Sequence, residues 1–278
     1  MDGFYVFGGG MGHLSRIKKF ISSQKITDFK IFTGNPLADR FFAQDRIKLF
    51  RQGKSDVKTA LQEYLAASFQ NQYFDNFYVD CFPAGILYEL TIDLIHAKQI
   101  HYLTRHVKQN SYQFNRTTIK FDSCIALEEL SADQIRFLRK RNIPINHLQL
   151  LKPIPNFDLI SKEFRQCVDR PRWLIVHSNN IDEIGLLVMK ANQLAEVAST
   201  KPQLFLISDN NSENDDVYWI KNEMNPINYF SFADKIFSGA GFNMIHELQE
   251  YPEKHVCLPF QRKYDDQQYR LNNRDANF

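Results

Sequence analysis

The chain has 278 residues, a length that suits two domains and is ample for real cores. Its 34 basic and 32 acidic residues leave a net charge of +2, so no global field selects nucleic acid or an anionic membrane as a partner. Four scattered cysteines form no Cys-x-x-Cys pair, which gives no sign of a zinc or redox motif and suits buried thiols in a reducing compartment. Gly8-Gly9-Gly10 interrupts the only apolar stretch at the N-terminus and no run approaches a membrane span, so the expectation is a soluble, cytoplasmic chain without a signal peptide. Most of the 24 Phe and 12 Tyr read as core.

Phe4-Tyr5-Val6-Phe7 reads as a buried strand that feeds Gly8, Gly9, Gly10, Met11, Gly12 and His13. Leu14, Ile17 and Ile21 then recur at helical spacing. A strand, a glycine loop and a helix at the start of a chain form a doubly wound α/β opening. The spacing matches neither a dinucleotide fingerprint with its acidic partner nor a phosphate loop closed by Gly-Lys-Ser/Thr. Further strands are expected at 30–34, 47–50, 76–82, 100–103, 123–127 and 147–151, and a helix over 57–69 started by Ser55 or Asp56.

Two ionisable residues stand out in this half. His13 comes directly after the glycine loop, and its ordinary pKa near neutrality suits a general base or a diphosphate ligand. Asp80 ends a strand at the edge where open α/β sheets bind ligands, and is the second candidate base, or else the cap of a helix after Pro83. Arg105 and His106 stand after another strand end and are lesser candidates for the same cleft. The basic helix from Ser131 to Arg141 reads as a solvated face, with contact to anionic lipid headgroups as the minor alternative.

Lys152-Pro153-Ile154-Pro155-Asn156 marks the domain boundary, because two prolines two apart stiffen an extended connection. The division is a domain over 1–152, a linker over 153–170 and a domain over 171–278. In the second domain, strands are expected at 173–177, 203–207, 217–220 and 227–230, with a helix over 184–197 and the turn His177-Ser178-Asn179-Asn180 before it.

The stretch from Lys235 to Asn273 carries most of the chemistry. A short strand runs into Ser238-Gly239-Ala240-Gly241, a helix with Met244, Ile245, Glu247 and Leu248 comes next, and a second strand stops at Pro259 before Asp265-Asp266-Gln267-Gln268. A small-residue turn that opens a helix lets backbone N–H groups approach an anion, and the helix dipole favours it. A carboxylate in that helix and carboxamides after the next strand suit sugar hydroxyls, so the layout reads as a nucleotide-sugar site.

This order of parts resembles the donor half of GT-B glycosyltransferases, most closely family 28, typified by MurG, the lipid-linked GlcNAc transferase of peptidoglycan synthesis. The glycine-rich loop ending in Gly12-His13 is similar to the start of those chains. Asp80-x-Phe82-Pro83-x-Gly85 with Glu89-Leu90 resembles a run in a branch of predicted family 28-like glycosyltransferases. The resemblance implies an α/β GT-B fold, two Rossmann-like domains facing a cleft, the second one short. It implies an inverting transfer from a nucleotide sugar, a UDP-sugar by expectation, to a hydroxyl acceptor, with no cofactor and no metal. No Asp-x-Asp pair occurs in the sequence. Glu247 would hold the ribose and Gln267 and Gln268 the sugar, with Asp266 assisting and Asn243 beside them. Gly239, Ala240, Gly241 and Ser178 would meet the phosphates, with Gly9, Gly10 and Gly12 lining the cleft and His13 or Asp80 as the base.

Lipid-linked, protein and polysaccharide acceptors all stay open, and a lipid-linked one would put the chain at the inner face of the membrane. The chain departs from those relatives in having His177-Ser178-Asn179-Asn180 in place of a second glycine loop, and in stopping soon after Gln268. Both departures keep a non-catalytic nucleotide-sugar-binding or regulatory subunit as the alternative, working with a protein partner that completes the short C-terminus. A UDP-sugar epimerase of the same fold is a further alternative.

Overall fold

The structure, a computed structural model, describes residues 1–8, 10–51, 56–178, 180–211, 214–221, 223 and 225–273. The chain divides into two compact units. One is Met1–Leu151 with Lys263–Asp266, and the other is Lys152–Arg262 with the described residues from Gln267 onward.

The first unit runs β1 (Asp2–Tyr5), α1 (Gly12–Ser23), β2 (Phe29–Thr33), β3 (Ile47–Leu49), α2 (Val57–Phe69), β4 (Phe74–Asp80), β5 (Ala97–Thr104), β6 (Ser123–Ala126), α3 (Ala132–Lys140) and β7 (Ile145–His147). All strand pairs are parallel, in the order β3-β2-β1-β4-β5-β6-β7. The chain moves outward one way from β1 and the other way from β4. The crevice beyond the C-terminal ends of these two strands is therefore the topological switch point, where such sheets bind ligands.

Aromatic side chains fill the core beneath, as their abundance predicts. Phe32 meets Phe69 edge-on at 4.7 Å, and Phe74 and Phe77 pack on the same rings. Such pairs add about 0.5–1.5 kcal/mol each beyond the area they bury. The start of α2 is fixed by Asp56, whose carboxylate accepts the Thr59 N–H at 3.0 Å; Ser55 lies outside the described residues. The strand expected over 147–151 is instead Ile145–His147. Pro144 lacks an N–H and suits entry to an edge strand, while its carbonyl accepts from Cys124 N–H.

The second unit runs α4 (Lys162–Gln166), β8 (Arg172–Val176), α5 (Ile181–Val197), β9 (Gln203–Ile207), β10 (Val217–Ile220), α6 (Ile227–Phe230), β11 (Lys235–Gly239), α7 (Phe242–Glu247), β12 (His255–Leu258) and α8 (Gln267–Asn272). Its parallel sheet has the order β10-β9-β8-β11-β12, which repeats the reversal and puts a switch point between β8 and β11.

Three expectations change here. Ile227–Phe230 is a helical turn, not a strand. All four of its residues are buried, so the run shows no period, and its β-branched and aromatic content imitates a strand. Residues 153–170 carry α4, and Ile160 and Phe164 are buried in the core of this unit, so the stretch read as a linker is partly packed structure. Gln267 and Gln268, which the sequence reads as part of a polar loop after Pro259, open a helix. Among the described residues no helix is long and apolar enough to cross a membrane.

Candidate functional site

At the switch point of the first unit, α1 and β4 bring three side chains together. His13 and Arg16 stand three apart on α1, so they share one helix face. Asp80 is the last residue of β4 and has no exposed surface. Its Oδ2 lies 2.5 Å from His13 Nδ1. Arg16 Nη2 donates to both Asp80 oxygens at 2.7 Å, and Arg16 Nε donates to Oδ1 at 3.2 Å.

Burial opposes the charge of Asp80, but the Arg16 and His13 charges outweigh it and hold the carboxyl down to about 2. Burial also lowers the His13 pKa, with Asp80 opposing and Arg16 and Arg105 adding to the fall. An ionised Asp80 accepts only, so Nδ1 carries the proton toward it. With Nδ1–H donating to Asp80, the Arg16 Nη2 approach to the same nitrogen at 3.0 Å is a contact of like donors that share the Asp80 carboxylate, and Nε2 is the basic atom.

The residue after Asp80 takes a left-handed backbone. Cys81 has φ +62°, rare for a side chain of its kind. Its N–H donates to the Leu103 carbonyl and its own carbonyl accepts from Tyr102 Oη, each at 2.9 Å, so the kink is held from both sides. This kink ends β4 at Asp80, two residues before the expected end. Burial pushes the Cys81 thiol up to about 11, so it is no nucleophile at neutral pH.

Among the described residues His13, Asp80 and Cys81 are the group whose ligand atoms lie close enough, within 4.8 Å, to hold a metal ion. Arg16 Nη2 already lies 2.7 Å from each Asp80 oxygen, 3.0 Å from His13 Nδ1 and 3.2 Å from Cys81 Sγ. The guanidinium fills the place a cation would take.

The rest of the Asp-x-Phe-Pro-x-Gly…Glu run is architectural. Gly85 has φ +82°, and a Cβ there would meet the Glu89 carboxyl at 2.4 Å. Tyr5 Oη donates to Glu89 Oε1, and Leu87 N–H donates to Oε2 at 2.8 Å. Burial raises the Glu89 pKa. Of the other loop residues, Gly10 has φ +75° and its carbonyl accepts from Asn35 Nδ2, and Gly12 opens α1. Gly9 lies outside the described residues. Arg105 pairs with Asp265, whereas buried His106 sets its Nδ1 against the Glu129 carbonyl.

In the second unit the small-residue turn comes directly after β11, at the switch point. Gly241 is the extended N-cap of α7, and Ala240 is buried. The Gln267 carboxamide lies over this turn. Its Oε1 accepts the Phe260 N–H at 2.9 Å and stands 3.4 Å from where a Gly239 Cβ would be. Buried Arg270 donates to the Ala240 carbonyl at 2.9 Å. Glu247 is the last residue of α7 and is buried, while Asn243 is half-buried in its first turn. Gln268 is exposed and its amide donates to Asn272. Asp266 groups with the first unit, apart from the two glutamines.

Sequence reasoning did not find a second cluster here. His177, at the end of β8, sets Nε2 2.7 Å from Glu183 Oε2, and Arg262 clasps the same carboxylate with two nitrogens. Burial lowers the His177 pKa, with Glu183 opposing and Arg262 adding. Asp182 and Glu183 occupy the first turn of α5, and Asn180 caps it by accepting the Glu183 N–H. Those carboxylates already complement the dipole beside Ser178; Asn179 lies outside the described residues.

No protein-family model matches the sequence, and no curated protein does. Solved structures match along nearly the whole chain. S. aureus MnaA with UDP superposes with a TM-score of 0.63 at 12% identity, covering 98% of this chain and 82% of that one. A glycotransferase of kitacinnamycin gives 0.61 at 11%, covering 99% and 84%. The UDP-N-acetylglucosamine 2-epimerase from Rickettsia bellii gives 0.56 at 11%, covering 98% and 82%. At these identities the likeness is one of fold: two parallel α/β sheets of the GT-B type, shared by glycosyltransferases and UDP-GlcNAc 2-epimerases.

Proposed function

We propose that the chain is an inverting, metal-independent glycosyltransferase that moves a sugar from a UDP-sugar to a hydroxyl acceptor, close in kind to family 28. The observation that carries this reading is the His13–Asp80 pair at the first switch point, with Nδ1 engaged and Nε2 left basic. Asp80, held near pKa 2 by Arg16, is no base at neutral pH, so the base is His13 and Asp80 orients it. The acceptor hydroxyl gives its proton to His13 Nε2 as its oxygen bonds to C1 of the donor sugar. The C1–O bond to the diphosphate breaks with its electron pair going to the leaving group, and C1 inverts.

The donor belongs to the second unit. Gly239–Gly241 offers the close backbone approach a diphosphate needs, and Glu247 stands six residues on, roughly 9 Å along the helix, to take the ribose hydroxyls. Gln267 shapes the turn, and Gln268, next to it in the chain, offers an exposed carboxamide for the sugar. With Asp182 and Glu183 at the start of α5, the diphosphate is left to the glycine turn rather than to Ser178.

A UDP-sugar epimerase is the second reading, favoured by the His177–Glu183–Arg262 cluster, because moving a proton off and onto a sugar carbon takes two acid–base groups. One experiment separates the readings: nucleotide sugars are incubated with the protein and a hydroxyl-acceptor mixture in D2O and followed by NMR. Transfer gives UDP and an inverted glycoside, lost in His13→Ala. Deuterium at C2 of the recovered nucleotide sugar selects the epimerase, and bound UDP without turnover selects a binding subunit.

A further inference from the structure

We propose that Arg16 is the positioning residue of this site: its guanidinium neutralises Asp80 and keeps the His13 ring uncharged, with the proton on Nδ1. The inference rests on the reading of His13 as the base. Arg16 is only 2% exposed, and its Nη2 alone reaches both Asp80 oxygens, the His13 ring and the Cys81 sulfur. A side chain serving only the core would not need such convergence on one carboxylate.

The physical need is specific. A buried carboxylate whose sole charged partner is a histidine draws a proton onto the ring, because an ion pair is far better there than a lone charge. The ring would then charge at a higher pH and be a less available base at neutrality. Arg16 supplies the positive charge instead, so Asp80 stays ionised without charging His13. The other groups acting on this pair are Arg105, which adds to the lowering at His13 and is itself paired with Asp265, and the neutral Cys81 thiol. Geometry assists, because the Cys81 kink fixes where Asp80 ends and α1 carries both Arg16 and His13.

In the reaction, neutral His13 accepts the hydroxyl proton at Nε2 and becomes an imidazolium whose Nδ1–H still points at Asp80. The extra proton returns to solvent after product leaves, so the cycle closes. Arg16 exchanges no proton at any step.

The test needs neither donor nor acceptor. Protein labelled with 15N-histidine is titrated and the ring nitrogens are followed by NMR in the wild type, Arg16→Gln and Arg16→Lys, with His13→Gln assigning the signal. The wild type is expected to show the Nδ1–H form at pH 7. In Arg16→Gln the ring should charge about 1 pH unit higher or more, with Arg16→Lys between the two. The His101 signals, from a ring stacked on Tyr78 and bonded to Ser123, report that the fold is intact. A folded Arg16→Gln with unchanged tautomer and midpoint overturns the proposal. If that variant does not fold, a folded Arg16→Lys that titrates like the wild type overturns it, and a raised midpoint supports it. Failure of UDP to bind would sink the transferase reading and leave this result standing, so the two failures are told apart.

Discussion

Gly8 lies against the His13 ring so closely that a Cβ on residue 8 would stand 2.2 Å from Nε2. The glycine run before α1 therefore has a duty at its first member that a phosphate-binding reading does not require. Gly8→Ala should push the imidazole off Asp80 and cut turnover at least tenfold, with UDP binding, proposed for the other unit, unchanged. Parallel kinetics and calorimetry check this; equal losses in both would point to general misfolding.

Asp80 links the site to acid stability. Its folded pKa of about 2 lies below the ordinary value of 3.8, so its contribution is fully present above about pH 4 and lost as the pH falls toward 2. That difference corresponds to about 2 kcal/mol. Asp80→Asn should flatten the acid limb of a Tm-versus-pH curve over this window. At neutral pH it should also destabilise the fold by about 3–5 kcal/mol, by leaving Arg16 buried without its carboxylate.

With His13 as the proposed base, its protonation sets the pH profile of turnover. Burial lowers its pKa, so the neutral base persists to more acidic pH than an exposed histidine allows. The acid limb of kcat/KM should fall with a midpoint below 6.5 and be flat through neutrality. A midpoint above 7 would require a charged ring in the resting site, against this geometry.

Gly85 tests the architectural part of the motif. With φ +82° and the Glu89 carboxyl 2.4 Å from the site of a Cβ, Gly85→Ala combines backbone strain with a clash. A loss on the order of 1–3 kcal/mol in a denaturant titration is expected. A neutral result would mean that the Glu89–Tyr5 bond does not fix this turn.

The Gly-rich turns, Asp80 at a strand end and the helix over 57–69 are legible in the sequence, because their signals are local and physics enforces them locally. Arg16 escapes such a reading, although it sits between Leu14 and Ile17 on the buried side of α1, where a cation is out of place without a partner. That contradiction is the available signal. Glu183 and Arg262, 79 positions apart, meet only through the sheet topology, which no local pattern carries. Gln267 and Gln268 look equivalent in the sequence, yet one is buried over the glycine turn and the other exposed, a difference set by the first turn of α8.

Glu247 on the ribose, in a nucleotide-sugar site of the second unit, is the assignment on which the functional reading depends. Calorimetric titration of UDP into the wild type and into Glu247→Ala decides it. Wild-type binding should be weakened by roughly 1–3 kcal/mol in the variant, the loss of a charged hydrogen-bond partner. Equal affinity in the two proteins, or no binding of UDP or of any nucleotide sugar to the wild type, would contradict it.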